Sequence, residues 1–164
     1  MALIDEFGAE VFAFDPTPSS IQWAQKNVNN PHFHMYPYGI SDTDGDAKFY
    51  LPDNNSCGTA SADKQGGAET YIIVPMKTLR TIAGELGHKY IDLLKLDIEG
   101  TEFDVVPDIL KSDIQVGQFC IEVHNRFFSD GDLRIKALIS RMNEAGYYVV
   151  SVSPNYEELT FIKK

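Results

Sequence analysis

Polar side chains follow several of the apolar segments that have a strand pattern in this sequence. Asp15 follows the first segment, Ser41 and Asp42 follow the next, and more carboxylates and a histidine end two later segments. A carboxylate can accept hydrogen bonds from vicinal hydroxyl groups, and an imidazole beside carboxylates can transfer protons. Because ligands of open α/β sheets bind beyond the carboxyl ends of the strands, these side chains predict one ligand site.

Residues 94–102, LKLDIEGTE, hold the densest group of charged side chains. Strand alternation predicts Lys95 and Asp97 on one side of the sheet and leaves Glu99 at the turn. Charges at the end of an apolar strand are costly to bury, which favours a functional role. The alternative is an ordinary Lys–Asp pair, with Glu99 and Glu102 supplying negative charge at a helix N-terminus.

Residues 116–123 form another apolar strand pattern, and alternation places Glu122 and His124 on the same side of it. A metal site built from Asp97, Glu99, Glu122 and His124 is one interpretation, since carboxylates with an imidazole suit several divalent ions. No compact spacing motif supports that interpretation, so the sequence by itself predicts no metal site.

Alternating strand and helix patterns predict an α/β fold with a mainly parallel sheet. The predicted strands span residues 10–14, 33–38, 47–51, 70–74, 91–96, 116–123, 147–152 and 158–162, and the predicted helices span residues 2–7, 20–29, 79–86, 101–110 and 133–145. Residues 43–75 are predicted to be an inserted antiparallel hairpin whose tip, residues 53–69, is flexible and could act as a lid. The last two strands predict a C-terminal hairpin.

Proline, serine and glycine residues predict where these elements begin and end. Residues 16–20, PTPSS, are predicted to break the first strand and to offer a serine cap to the following helix. Residues 39–42, GISD, predict a turn, and Pro107 is predicted to interrupt or restart its helix.

Composition restricts the class of protein. The chain has 164 residues, 14 of them basic and 24 acidic, for a net charge of −10. That length predicts a single domain, residues 1–164, and the missing cluster of Lys and Arg argues against a nucleic-acid partner. Without an apparent signal peptide, a membrane-spanning apolar run or a disulfide between Cys57 and Cys120, the sequence predicts a soluble cytoplasmic protein with no membrane partner.

Four segments in order, VFAFDPTP at 11–18, GISD at 39–42, LKLDIEG at 94–100 and IEVH at 121–124, resemble the FkbM-type S-adenosylmethionine-dependent methyltransferases. The resemblance runs from about residue 3 to the C-terminus. It implies a Rossmann-like class I methyltransferase sheet with strand order 3-2-1-4-5-7-6 and an antiparallel last strand. It also implies methyl transfer from S-adenosylmethionine, typically to an oxygen of a small molecule, sugar or secondary metabolite.

By position in this resemblance, Asp15 is the acid that binds the ribose of the cofactor, and Ser41 and Asp42 form the turn on the adenine side. Asp97 is the acid beside the methionine moiety and the methyl group. A base must remove the acceptor proton, and His124 and Glu99 are the candidates, with Glu122 orienting the histidine.

The sequence departs from the family in one respect. It contains no Gly-x-Gly, whereas the family places a strand and a glycine-rich cofactor loop before the helix of residues 2–7. That strand would lie between residues 10–14 and 91–96, so we expect these two strands to pair directly if the chain is a stable monomer. Otherwise a second copy in a homo-oligomer donates a strand, or the exposed strand edges drive aggregation. The departure also keeps open an alternative function, a non-catalytic, degenerate methyltransferase-like module for binding or interaction.

Overall fold

A computed structural model of the chain describes residues 2–50 and 70–164. The helices are α1 Ala2–Phe7, α2 Pro18–Asn27, α3 Leu79–Leu86, α4 Glu102–Lys111 and α5 Gly131–Glu144, and a 3-10 helix spans Asn125–Phe127. The strands are β1 Val11–Phe14, β2 Phe33–Tyr36, β3 Gly39–Ile40, β4 Gly45–Tyr50, β5 Tyr71–Lys77, β6 Tyr90–Leu96, β7 Gln115–Glu122, β8 Tyr147–Val152 and β9 Glu158–Lys163. The predicted flexible tip, residues 53–69, lies outside the described residues.

The strands form three sheets, which confirms a mixed α/β fold. Parallel and antiparallel pairs are equally frequent among the described strands, so the prediction of a mainly parallel sheet was wrong. β1 pairs with β2 in parallel, and β5 pairs with β3 in parallel and with β4 antiparallel. The third sheet has the order β6-β7-β9-β8, with β6 and β7 parallel and the other pairs antiparallel. Both predicted hairpins, β4–β5 and β8–β9, are confirmed. The third sheet also has the order 4-5-7-6 that the resemblance implies for that half of the sheet.

One cluster of buried side chains joins the elements. It includes Tyr38 between β2 and β3, Ile40 of β3, Ile82 of α3, Val106 of α4 and Phe119 of β7. Burial of these apolar side chains is the main force that holds the helices against the strands. Within the described ranges, no helix is long and apolar enough to cross a membrane.

Three local predictions about these elements were wrong. The second helix begins at Pro18 with Thr17 as its N-cap residue, because proline fits the first helical position, so no serine caps it. α4 continues through Pro107, since Val106 and Ile109 on either side are buried in the core and outweigh one lost hydrogen bond. Gly39 and Ile40 are not a turn but a short strand, because they pair with β5.

The expected direct pairing of residues 10–14 with 91–96 was also wrong. In the described part of the chain, β1 pairs only with β2 and β6 pairs only with β7. Direct pairing would have required moving half of the sheet by about one strand spacing, 4.8 Å, and repacking its helices.

Candidate active site at the ends of β6 and β7

The parallel pairing of β6 with β7 brings two charged strand ends together. Leu96 is aligned with Ile121, so Asp97 after β6 and Glu122 at the end of β7 lie at the same edge of the sheet. Lys95 Nζ lies 3.5 Å from Asp97 Oδ2 and 3.8 Å from Glu122 Oε2. This lysine therefore contacts one oxygen of each carboxylate and partly balances their charge.

A buried hydrogen bond fixes the ring of His124. Its Nδ1 atom lies 2.8 Å from Oε1 of Glu102, and both side chains are almost completely buried. The Glu102 carboxylate also accepts hydrogen bonds from the backbone amides of Ile98 at 3.1 Å and Gly100 at 3.0 Å. Glu102 thus joins the turn before α4 to the residue after β7, and it sets the direction of the imidazole.

The other ring nitrogen of His124 faces carboxylates. Nε2 lies 3.5 Å from Glu99 Oε2, 3.8 Å from Asp97 Oδ1 and 3.9 Å from Glu122 Oε1. These separations exceed the usual hydrogen-bond range of about 2.7–3.2 Å. The structure therefore brings together Asp97, Glu99, Glu122 and His124, four of the residues that the sequence singled out.

The pKa values of two groups reflect this crowding of negative charge. Burial alone would lower the pKa of His124, but the hydrogen bond to Glu102 and the charges of Glu102 and Glu99 outweigh it and raise that pKa above its ordinary value. Burial raises the pKa of the Glu122 carboxyl, and the nearby charge of Asp97 adds to the effect. The first shift favours a protonated imidazole and the second a neutral Glu122 carboxyl, and both reduce the negative charge of the cluster.

The turn between β6 and α4 has an unusual backbone. Glu99 adopts φ 54° and Gly100 adopts φ 105°, so both lie on the left-handed side of the Ramachandran plot. A Cβ atom at Gly100 would come within 3.3 Å of the Phe127 ring, which in turn stacks on His124 with ring centroids 5.2 Å apart. This backbone places the Glu99 carboxylate beside Nε2 of His124.

Asp15 lies in a different local structure, a turn at the end of β1. Its Oδ1 atom accepts hydrogen bonds from the backbone amide of Thr17 at 2.8 Å and from the Thr17 hydroxyl at 2.7 Å. Asp15 therefore acts as the acceptor of a local turn at the end of β1. Both of these hydrogen bonds end on Oδ1, and none within residues 2–50 and 70–164 ends on Oδ2.

Ser41 and Asp42 follow β3, and the Ser41 hydroxyl lies 3.1 Å from Asp42 Oδ1. Among the described residues, no recorded hydrogen bond or ion pair joins these two, or Asp15, to the cluster around His124. The structure therefore assembles the predicted catalytic residues with Asp97, whereas the other three predicted cofactor residues stand outside that cluster.

Most of the chain also matches a known protein family. Residues 3–149, most of the chain, match the model of the methyltransferase FkbM domain. The chain belongs to the FkbM methyltransferase family. This confirms the resemblance, and the family implies the class I methyltransferase fold. The buried, hydrogen-bonded pair of Glu102 and His124 is thus part of an FkbM domain.

Two curated methyltransferases illustrate the similarity. The hexuronic acid methyltransferase AglP of Haloferax volcanii is 27% identical over 123 residues, which cover 71% of this chain and 48% of AglP. The probable methyltransferase-like protein 24 of human is 38% identical over 50 residues, 29% of this chain and 14% of that protein, and the rat protein matches equally. The chain spans about half or less of these relatives. No solved structure matches.

Sequence reasoning missed the importance of Glu102 in this FkbM domain. It treated Glu102 mainly as a negative charge at the start of α4, and the bonds to the amides of Ile98 and Gly100 confirm part of that interpretation. It also assigned the orientation of His124 to Glu122, whereas Glu102 holds Nδ1. The only available signal was that Glu102 lies in the same charged segment as Asp97 and Glu99.

The conformation of Gly100 leads to a stability prediction. We expect Gly100→Ala to lower the free energy of unfolding by about 1–3 kcal/mol, because alanine at φ 105° is strained and its Cβ would crowd Phe127. The matched control is Gly84→Ala in α3, where a Cβ meets open space and should stabilise the protein by about 0.5–1 kcal/mol. Urea denaturation measures both values, and equal effects of the two substitutions would contradict the argument.

Proposed function

We propose that this FkbM domain is an S-adenosylmethionine-dependent methyltransferase that methylates an oxygen of a small molecule or sugar. The observation that carries the proposal is the buried His124, oriented by Glu102 and facing three carboxylates, in a chain of this family. The proposal includes a single domain whose sheet is of the class I type, without its first strand in the described residues. The order β6-β7-β9-β8 supports that topology.

The proposed reaction is a direct displacement at the methyl carbon of the sulfonium. The acceptor oxygen forms the new C–O bond, the C–S bond breaks, and its electron pair stays on sulfur, which leaves S-adenosylhomocysteine. Catalysis comes mainly from the alignment of donor and acceptor. The hydroxyl proton of the acceptor passes to a base, and His124 and Glu99 are the candidates.

The cofactor would lie along the carboxyl ends of the strands. Asp15 is proposed to accept hydrogen bonds from the ribose hydroxyls, for which Oδ2 remains while Thr17 occupies Oδ1. Ser41 and Asp42 are proposed to contact the adenine side, and Asp97 to lie beside the methionine moiety. The proximity of Asp97 to the His124 ring supports placing the methyl group at this end.

The test of the cofactor assignment is calorimetric titration with S-adenosylmethionine and S-adenosylhomocysteine. Because the sequence has no Gly-x-Gly, we expect the chain alone to bind more weakly than micromolar. In a longer form of the protein that has the missing strand and binds the cofactor, Asp15→Ala should weaken that binding by about 2–3 kcal/mol, the value of two hydrogen bonds to a charged acceptor. Asp15→Asn is the matched control. Its amide oxygen can still accept the hydrogen bonds from Thr17, but the side chain has no negative charge to strengthen hydrogen bonds from the ribose hydroxyls.

The two variants separate the roles of Asp15. Ribose binding predicts that both substitutions weaken cofactor binding, while only the alanine lowers stability. If the dissociation constant of the cofactor were unchanged in both variants, Asp15 would only stabilise the turn with Thr17.

The second candidate function, a non-catalytic binding module, is favoured by the engagement of Asp15 in a local turn with Thr17. It predicts no cofactor binding at millimolar concentration and no transfer of a labelled methyl group. The first acceptors to assay are hexuronic acids, since the relative AglP is a hexuronic acid methyltransferase.

A further inference from the structure

We propose that Asp97, Glu122 and Nε2 of His124 bind a divalent transition-metal cation, for which Zn²⁺ is the probe of choice. One ligand atom from each of these residues lies within 4.8 Å of the others. The residues come from the ends of β6 and β7, and the pairing of those strands brings them together.

The distances are close to those of a real coordination sphere. Nε2 lies 3.8 Å from Asp97 Oδ1 and 3.9 Å from Glu122 Oε1. Two ligand atoms at about 2.1 Å from a tetrahedral ion are roughly 3.4 Å apart. Each carboxylate oxygen therefore needs to approach Nε2 by about half an ångström, and the two oxygens, which lie within 4.8 Å of each other, need to close by up to about 1.4 Å. The carboxylates can do so because the side chains of Asp97 and Glu122 are 45% and 26% exposed.

The buried histidine is the second, independent observation. The side chain of His124 is only 2% exposed, and its Nδ1–H can donate to the fully buried Glu102 carboxylate. That bond leaves Nε2 directed at carboxylate oxygens, so either a proton on Nε2 or a metal ion must supply positive charge between them. A carboxylate that holds the far nitrogen of an imidazole is also the common second shell of metal-binding histidines.

The ligand types select the class of cation. One imidazole and two carboxylates suit Zn²⁺ and similar first-row ions, whereas Mg²⁺ prefers oxygen ligands and retains its waters. The competing explanation is that a proton on Nε2, together with Lys95, supplies all the positive charge. Lys95 Nζ contacts the outer oxygens of Asp97 and Glu122, so it reduces the negative potential that a metal ion would meet.

The experiment is calorimetric titration of the metal-stripped chain with Zn²⁺, and separately with Mg²⁺. A second group could capture zinc, because Glu10 contacts His32 Nδ1 and His34 Nε2 at the start of β2. All titrations are therefore made in a Glu10→Gln, His34→Gln background. We expect one Zn²⁺ per chain and at least tenfold weaker binding of Mg²⁺.

Two substitutions with opposite expected signs identify the site. Glu122→Gln should raise the Zn²⁺ dissociation constant at least about tenfold, because it removes a charged ligand at a partly exposed position. Lys95→Met should lower the dissociation constant several-fold, because it removes a competing cation. A purely structural role for these side chains would not strengthen zinc binding in the second variant. Circular dichroism before each titration establishes that both variants are folded.

Two results would overturn the proposal: no zinc binding at micromolar concentration in the background variant, or binding that Glu122→Gln leaves unchanged. The proposal uses the same cluster as the proposed methyl transfer, but the titration contains no methyl donor. A failure of metal binding would leave the transferase proposal intact, with the Nε2 lone pair of His124 as the base. If zinc binds, Nε2 is a ligand, and Glu99 is the remaining candidate for the base. A failure of methyl transfer would equally leave a measured zinc site in place.

Discussion

Glu102→Ala is expected to lower the free energy of unfolding by about 3–5 kcal/mol, the range for removing one partner of a buried charged pair. The carboxylate of Glu102 accepts hydrogen bonds from the backbone amides of Ile98 and Gly100 and from Nδ1 of His124. All three donors would lose their partner in a place that water does not reach readily. Urea denaturation followed by circular dichroism measures the change.

Glu102→Gln is the matched control for the charge. Its amide oxygen still accepts from one donor, so we expect a loss smaller than that of the alanine variant. Asp104→Ala, in the same first turn of α4, controls for the loss of a helix N-terminal charge, which is worth about 0.3–1 kcal/mol. If Glu102→Ala cost no more than Asp104→Ala, then Glu102 would be only a helix-terminal charge, as one interpretation of the sequence has it.

The second large effect is expected for the reaction. His124→Ala should lower the turnover number by roughly 10²–10⁴-fold, the usual contribution of a positioned acid or base. Affinity for S-adenosylmethionine should change far less, because the proposed contact of His124 is with the acceptor and not with the ribose. Steady-state kinetics with labelled methyl donor, together with calorimetric titration of the cofactor, separates the two quantities.

His34→Ala is the control for this substitution, since His34 is an exposed imidazole that contacts Glu10 away from the cluster. His124→Gln adds a variant that keeps a polar group opposite the buried Glu102 carboxylate, so a loss of turnover in both variants cannot come from misfolding alone. Should cofactor affinity collapse while turnover at saturation survives, the assignment of His124 to the acceptor would be wrong. Assays with and without added zinc test whether His124 acts as a base or as a ligand of a bound cation.

The sequence by itself determined most of the local structure and the family. Strand alternation in residues 91–96 and 116–123, helical spacing in residues 133–145 and the glycine that ends the last helix are local signals, so these elements were predicted within a few residues. The rule that polar residues gather at the carboxyl ends of strands also singled out Asp97, Glu99, Glu122 and His124. The predictions of these helices and strands succeeded because each depends on neighbours in the chain.

Tertiary structure decided the remaining features. Glu102 and His124 are 22 residues apart, and only the parallel pairing of β6 with β7 brings their side chains within hydrogen-bond distance. Gly39 and Ile40 became a strand because β5 offers a partner, and α4 passed through Pro107 because the core holds both sides of it. The separation of β1 from β6 likewise depends on how the helices pack. Each of these results is a balance of burial and long-range pairing, and the local pattern of residue types does not encode that balance.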